Sequence, residues 1–322
     1  MLNYPIKFYP ILKEKIWGGT KLMTQFHKKS TSKNIGESWE LADIEDNISI
    51  VSNGEFAGKS LRELLETYKE ELIGENNYAH FGNNFPLLIK FIDAKEDLSV
   101  QVHPNKQLAK KHHNSSGKTE MWYIVQADAE SKLVVGFSKE ITLDQYLNYV
   151  DAKNIPSILN YKKVKAGDAF LIEPGTVHTI GAGIVLAEIQ QTSDITYRIY
   201  DWDRVDEEGN SRELHPDFAI KAINFRDKIK AKRKYANFIN SLNTIVKCEY
   251  FTTNYIHIVG EKELDYEETD SFVIFICVQG KAKISIDTYT EILDLGETVL
   301  IPATANKVTI ASKNCKLLEV TV

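Results

Sequence analysis

In the run Ser99-Val100-Gln101-Val102-His103-Pro104 polar and apolar side chains alternate strictly, so a strand through it turns Ser99, Gln101 and His103 to one face and the two valines to the other. An amide oxygen and an imidazole then project side by side. Further on, Gly117-Lys118-Thr119-Glu120-Met121-Trp122 opens an apolar strand whose carboxylate can enter the same space, and Glu173-Pro174-Gly175-Thr176-Val177-His178 is a tight turn that delivers a second imidazole. Two imidazoles, one carboxylate and a neutral amide oxygen form a borderline nitrogen and oxygen donor set that suits Zn²⁺ and tolerates Mn²⁺, Fe²⁺ or Co²⁺. With an open coordination position, such a metal holds substrate oxygens as a Lewis acid. A single strand histidine is more often a hydrogen-bonded side chain than a ligand, so it is the combination of Gln101, His103, Glu120 and His178 that points to a centre. His112 and His113 fall in the polar, Ser-rich KKHHNSSGK and are assigned to a solvated loop. His27, His80, His215 and His257 have no ligand-like neighbours and are set aside.

The elements that must carry these residues are mostly strands. FPLLIKFI, LSVQVH, EMWYIVQA, KLVVGF, DAFLIE, VHTI, IVLAEIQQ, ITYRIYDW, FVIFICVQ, AKISID and TVLIPA are short apolar or alternating runs separated by turn residues, which predicts an antiparallel sandwich or barrel. Three helices decorate it. Ser60 and Glu63 form a capping box ahead of Leu61, Leu64, Leu65, Tyr68 and Leu72, with Gly74 as the stop, predicting a helix over 60–73. Thr142 with Gln145 repeats the pattern, and Pro216 opens a third. The basic stretch 226–236, RDKIKAKRKYA, lacks strand alternation and marks a break between a first domain, residues 1–235, and a smaller β domain, residues 236–322. KVKAGDAFLIEPGTVHTI and TEILDLGETVLIPATANKVTI share the order strand, Gly-acidic turn, apolar strand ending in Pro, and strand, so the second domain reads as a copy of the first. It has Asn306 or nothing in the place of His178, which predicts no metal there.

A chain of 322 residues, 43% apolar and 10% aromatic, buries a full core. Its net charge of -6 comes without blocks of like charge, which argues against nucleic-acid or membrane partners. Cys248, Cys277 and Cys315 are odd in number and scattered, neither a disulfide framework nor a thiolate cluster. The amino terminus has Pro5, Pro10 and scattered lysines where a secretory h-region would lie, and no stretch nears 18 apolar residues, so a cytoplasmic location is expected.

Six segments together resemble the type I mannose 6-phosphate isomerases in their short bacterial form. These are IWGG at 16–19, GESWEL at 36–41, PLLIKFIDAKEDLSVQVHP at 86–104, GKTEMWYIV at 117–125, EPGTVHTIGAG at 173–183 and LAEIQQTSDITYRIYDWDR at 186–204. The resemblance implies a mainly β chain with a cupin, jelly-roll type β-barrel carrying N-terminal helical decoration, followed by a second, smaller cupin-like barrel. It implies one zinc per chain on Gln101, His103, Glu120 and His178. It puts Arg198 at the family's active-site arginine, Lys118 and Glu188 in the substrate pocket, and Lys90 and Ser99 at the phosphate contacts. The implied partner is a small-molecule sugar phosphate, and the chain is expected to be a monomer or a weak homo-oligomer. The large helical insert of the long eukaryotic form has no room here between Glu120 and His178, which leaves the pocket's outer wall different.

Interconverting an aldose and a ketose moves a proton between C2 and C1 through a cis-enediol while charge builds on O1 and O2. A divalent metal and a fixed guanidinium stabilise that charge. Arg198 stays protonated, so the base is Lys118, Glu188 or a metal-polarised group, with Lys118 preferred. The plain alternative for Glu188 is an ion pair with Arg198 or Arg204, and for Arg198 a strand-surface ion pair. Other readings are a non-catalytic metal-cupin sensor of a sugar phosphate, an isomerase of another sugar phosphate, and an Fe²⁺ cupin oxygenase, which the Gln ligand disfavours.

Overall fold

The structure, a computed structural model, describes residues 2–206, 208–225 and 230–322. Strands dominate, and three sheets carry the architecture. The first has seven strands in the order Lys232–Arg233, Ala169–Ile172, Glu120–Ala127, Ile184–Gln191, Leu87–Ala94, Ile11–Gly19 and Ile35–Leu41. The second has five, in the order Leu159–Lys163, Lys132–Phe137, His178–Ile180, Val100–Val102 and Tyr197–Tyr200. Their facing sides bury Trp122, Ile124, Phe170 and Ile172 against Leu133, Val135 and Ile180. No ladder joins the two sheets among the described residues, so the cupin unit is an open β sandwich and not the closed barrel expected.

Leu87–Ala94 is buried throughout because both its faces are covered. Leu87, Ile89 and Phe91 point to a core shared with Phe272, Ile274, Leu318 and Val320 of the C-terminal unit, while Lys90 and Ile92 point to the sandwich interior. That C-terminal unit is the third sheet. It runs Ile6–Lys7, Thr298–Ile301, Val273–Gln279, Lys307–Thr321, Thr252–Asp265 and Asn243–Lys247, with the hairpin Lys281–Ile286 and Tyr289–Asp294 attached to the long Lys307–Thr321 strand. Its outer strand comes from the start of the chain: Ile6 pairs with Leu300 and Lys7 with Val299. Lys28 adds a buried tie, its Nζ bonding Glu40 Oε2 at 2.8 Å and the Gly296 carbonyl at 2.7 Å.

The repeated pattern is matched element by element. Leu159–Lys163, Ala169–Ile172 and His178–Ile180 correspond to Tyr289–Asp294, Thr298–Ile301 and Lys307–Thr321. Gly167 and Gly296 occupy the same turn at φ 89° and 84°, a conformation that favours glycine. Of the predicted break, residues 226–229 lie outside the described residues. Lys232–Arg233 pairs with Ala169 and Phe170, so the basic segment carries a short strand of the first sheet.

Both capping boxes form, at Ser60 with Glu63 and at Thr142 with Gln145, and Pro216–Ala222 begins on its proline. The helix expected over 60–73 is two, Leu61–Tyr68 and Glu70–Ile73, because Lys69 turns to φ 48° between them; a further helix, Glu75–Phe81, follows Gly74. His112 and His113 are not in a loop. They end the helix Lys106–His113, which Asn105 caps by accepting the Leu108 N–H. The asparagine after Pro104 was the signal, and the polar composition that followed it masked the helix.

Candidate metal centre and active site

Val100–Val102 lies between His178–Ile180 and Tyr197–Tyr200, and its register places His178, Gln101 and Arg198 in one row across the sheet. Residues directly opposite in an antiparallel ladder share a face. Val100 and Val102 pack on the other side with Val134 and Tyr146, so Gln101 and His103 turn inward. Glu120 arrives from the first strand position opposite, on the same side of its sheet as Trp122, which is in the sandwich interior.

The ligand atoms of His103, Glu120 and His178 lie within 4.8 Å of one another, and all three residues are at most 1% exposed. His103 Nε2 is 3.1 Å from His178 Nε2 and 3.1 Å from Glu120 Oε1, while Glu120 Oε2 is 3.9 Å from His178 Nε2 and has no hydrogen-bond partner. Each imidazole donates its Nδ1–H to a backbone carbonyl, His103 to Ile195 at 3.0 Å and His178 to Thr176 at 2.8 Å. With both Nδ1 atoms protonated, the two Nε2 lone pairs face each other across 3.1 Å, an arrangement that a bound cation would stabilise. Burial pushes His103 down to about 3, with the Lys118 charge adding to it, and pushes His178 down as well. Burial would raise Glu120, but His103 and Lys118 hold it well below the usual carboxylate range. Neutral imidazoles and an ionised carboxylate are the protonation states a divalent metal binds. The Gln101 amide, 3.3 Å from His178 Nε2, presents its oxygen to the same point after a half-turn of its terminal torsion. Donor types and orphaned carboxylate oxygen both fit a zinc ion.

Beside this cluster lies a second one, of charged residues framed by two tryptophans. Lys118 Nζ is 3.4 Å from Glu120 Oε1. Trp39, Lys90, Glu188 and Trp122 form one row across the seven-stranded sheet. The Trp122 indole N–H donates to Glu188 Oε1 at 2.9 Å, and Lys90 Nζ lies 3.6 Å from Glu188 Oε2, 4.0 Å from both Glu37 Oε2 and Asp194 Oδ1, and 5.0 Å above the Trp39 ring. Burial and the Glu120 charge push Glu188 up to about 7 against the pull of Lys90 and Lys118. Burial would lower Lys90, but Glu37, Glu188 and Asp194 raise it.

The plain alternatives for two residues change. Glu188 pairs with neither arginine: Arg204 engages Asp201 at 2.6 Å and Glu96 at 3.8 Å, and the Arg198 guanidinium donates through Nη1 to the Glu213 carbonyl at 2.6 Å, not to a carboxylate. Ser99 is buried one position before Val100. Among the described residues no hydrogen bond or ion pair joins Arg198, Lys90 or Ser99 to the four ligand residues. Glu37, Trp39, Trp122 and Asp194 were not singled out from the sequence. Alternation within GESWEL and EMWYIV holds the signal, since it sets Glu37 and Trp39, and Glu120 and Trp122, on one face each.

Glu37 gives a stability test. Burial would raise its carboxyl, but Lys90, Lys15 and the Trp39 indole N–H bring it down to about 2, below the ordinary 4.5. Its contribution is therefore present above pH 4.5 and lost as pH falls toward 2, and is worth about 3 kcal/mol when fully present. Urea unfolding of Glu37→Gln should show a deficit of that order at pH 7 that shrinks as both proteins are taken to pH 3.

Matched against family models, residues 6–121 fit the type I phosphomannose isomerase catalytic domain and residues 241–322 the mannose-6-phosphate isomerase cupin domain. The chain is 35% identical over 305 residues to the mannose-6-phosphate isomerase ManA of Bacillus subtilis, covering 94% of each. It superimposes on the crystal structure of the Bacillus subtilis mannose 6-phosphate isomerase with a TM-score of 0.90 at 31% identity, covering 99% of this chain and 100% of that one. A mannose 6-phosphate isomerase bound with zinc and yttrium shares the fold at a TM-score of 0.78 and 17% identity, with 99% of each chain covered.

Proposed function

The chain belongs to the type I mannose-6-phosphate isomerase family, and from that premise we propose that it interconverts D-mannose 6-phosphate and D-fructose 6-phosphate with one zinc ion on Gln101, His103, Glu120 and His178. The observation that carries the metal reading is the pair of inward-facing Nε2 lone pairs beside the unpartnered Glu120 oxygen. When bound, zinc supplies Lewis acidity to the substrate oxygens O1 and O2.

The protein's own groups handle the proton. Glu188 takes the C2 proton of the open-chain aldose, leaving the cis-enediol, and returns it to C1, while the hydroxyl proton passes from O2 to O1. A carboxylate poised near neutrality both accepts and releases a proton readily, which favours Glu188 over Lys118 as the carrier. Lys118, 3.4 Å from Glu120, and Arg198, in the row of Gln101, supply positive charge where the enediol oxygens gain negative charge. Of the phosphate contacts, Ser99 is buried two positions before Gln101. Lys90 sits deep among three carboxylates, which suits it to fixing Glu188 more than to holding phosphate.

Residues 1–235 form the catalytic domain in this reading, and residues 236–322 a cupin-like domain without metal ligands. The one His, Cys, Asp and Glu cluster found among the described residues lies in the first. In this reading the enzyme is cytoplasmic, a reducing compartment in keeping with its three free cysteines, and acts on a small-molecule sugar phosphate as a monomer or weak homo-oligomer.

The test is turnover of mannose 6-phosphate before chelation, after it, and after zinc is restored, with bound zinc counted. Chelator-sensitive turnover regained with one zinc per chain is expected. A zinc-loaded protein that binds the sugar phosphate without converting it would replace the enzyme with the sensor, and conversion of only another sugar phosphate would reassign the substrate.

A further inference from the structure

Arg198 sits on Tyr197–Tyr200, an edge strand with a neighbour on one side only. An edge residue has backbone groups that face away from the sheet and need partners from elsewhere. At Arg198 one residue supplies both. The Arg198 N–H donates to His215 Nδ1 at 3.0 Å, and the His215 N–H donates to the Arg198 carbonyl at 2.8 Å. The guanidinium is held by the same short segment, Nη1 donating to the Glu213 carbonyl at 2.6 Å. Three hydrogen bonds from Glu213 and His215 thus determine where both the backbone and the head group of Arg198 lie.

His215 is itself well anchored. It precedes Pro216 and accepts the Ala219 N–H through its carbonyl, so it is tied to the first turn of Pro216–Ala222. That helix is pinned by buried Ala219 and by Phe218, stacked on Tyr197 at 5.1 Å. Because Nδ1 accepts, the imidazole carries no proton there, and burial together with the Arg198 charge keeps it below its ordinary value.

We propose that His215 is a positioning residue for the isomerisation: its Nδ1 acceptor fixes Arg198 so that the guanidinium meets the charge formed on the substrate. This rests on the reading of Arg198 as a charge-holding group, and His215 itself touches no substrate. A head group displaced by about an ångström costs up to roughly a hundred-fold in rate. The expected loss therefore falls on kcat more than on KM.

The experiment uses the zinc-loaded enzyme with mannose 6-phosphate, reading kcat, KM, zinc content and thermal midpoint for His215→Leu, His215→Asn, Arg198→Ala and the Leu/Ala double variant. His215→Leu, which lacks the acceptor, should lower kcat about ten- to a hundred-fold with zinc retained. His215→Asn, whose Oδ1 replaces Nδ1 as acceptor, should recover most of that loss, and adding His215→Leu to Arg198→Ala should cost nothing more. If His215→Leu fails to fold, His215→Phe, which keeps a ring without an acceptor, is read the same way. Full activity in the Leu variant beside an impaired Arg198→Ala overturns the inference. So does an Asn variant as poor as Leu, or losses that add in the double variant. Wild-type turnover by Arg198→Ala would instead remove the reading of Arg198 on which the inference stands, and that single variant tells the two failures apart.

Discussion

His178→Ala should lose its zinc and, with it, at least about 10²- to 10³-fold of kcat/KM, the scale set by removing one strong electrostatic contact to a reacting oxygen. His178 is completely buried, and its Nδ1–H bond to Thr176 leaves Nε2 pointing at His103 and Glu120. Alanine there removes a donor that no neighbour can replace. The thermal midpoint gives a second readout. Zinc stabilises a folded state that binds it by an amount that grows with the logarithm of its concentration, so added zinc should raise the wild-type midpoint and leave that of His178→Ala unmoved. A variant that still takes up one zinc and is stabilised by it would show that His178 is not a ligand.

Glu188→Gln should lower kcat by about 10²- to 10⁴-fold with zinc content unchanged. The amide keeps the size of the side chain and an oxygen for the Trp122 indole N–H, but it cannot take a proton. Since the Glu188 carboxyl is pushed up to about 7 and acts ionised, wild-type activity should climb with pH through that region as the carboxylate forms. The climb should be absent in Glu188→Gln and present in Lys118→Met, whatever the latter's absolute rate. If Lys118→Met abolishes the climb and Glu188→Gln keeps it, the proton carrier is Lys118.

The strands that bear the site were legible because they are apolar or alternating runs bounded by turn residues. Glu120–Ala127, Lys132–Phe137 and Ile184–Gln191 coincide with the runs read from the sequence. Helix starts were legible where a side-chain cap announces them, as at Ser60 and Thr142. What escaped reading depends on partners distant in the chain. Ile11–Gly19 and Ile35–Leu41 are strands by virtue of the edge they cover, since ILKEKIWGG and IGESWEL carry too much charge and glycine to stand out as apolar runs. The charged row through Lys90 was partly visible, residue by residue, but only the sheet register shows that Glu188 stands between Lys90 and Trp122. His215 was set aside because its neighbours in sequence have no ligand character. Its role lies in a backbone bond to a residue on a strand seventeen positions earlier, which no local pattern encodes.

The crossing of Ile6–Lys7 onto the C-terminal sheet has a consequence for how the chain is made. These residues leave the ribosome well before Val299 and Leu300, their partners. At about 5–20 residues per second the gap lasts on the order of 15–60 s. Throughout that interval Ile6–Lys7 is an unmatched strand, and the Thr298–Ile301 edge it will cover does not yet exist. Pairing them is therefore a closure of very high sequence separation, which is slow for entropic reasons. A bulky insertion beside Ile6–Lys7 would burden that closing step, because this strand must reach the Thr298–Ile301 edge to complete the sheet.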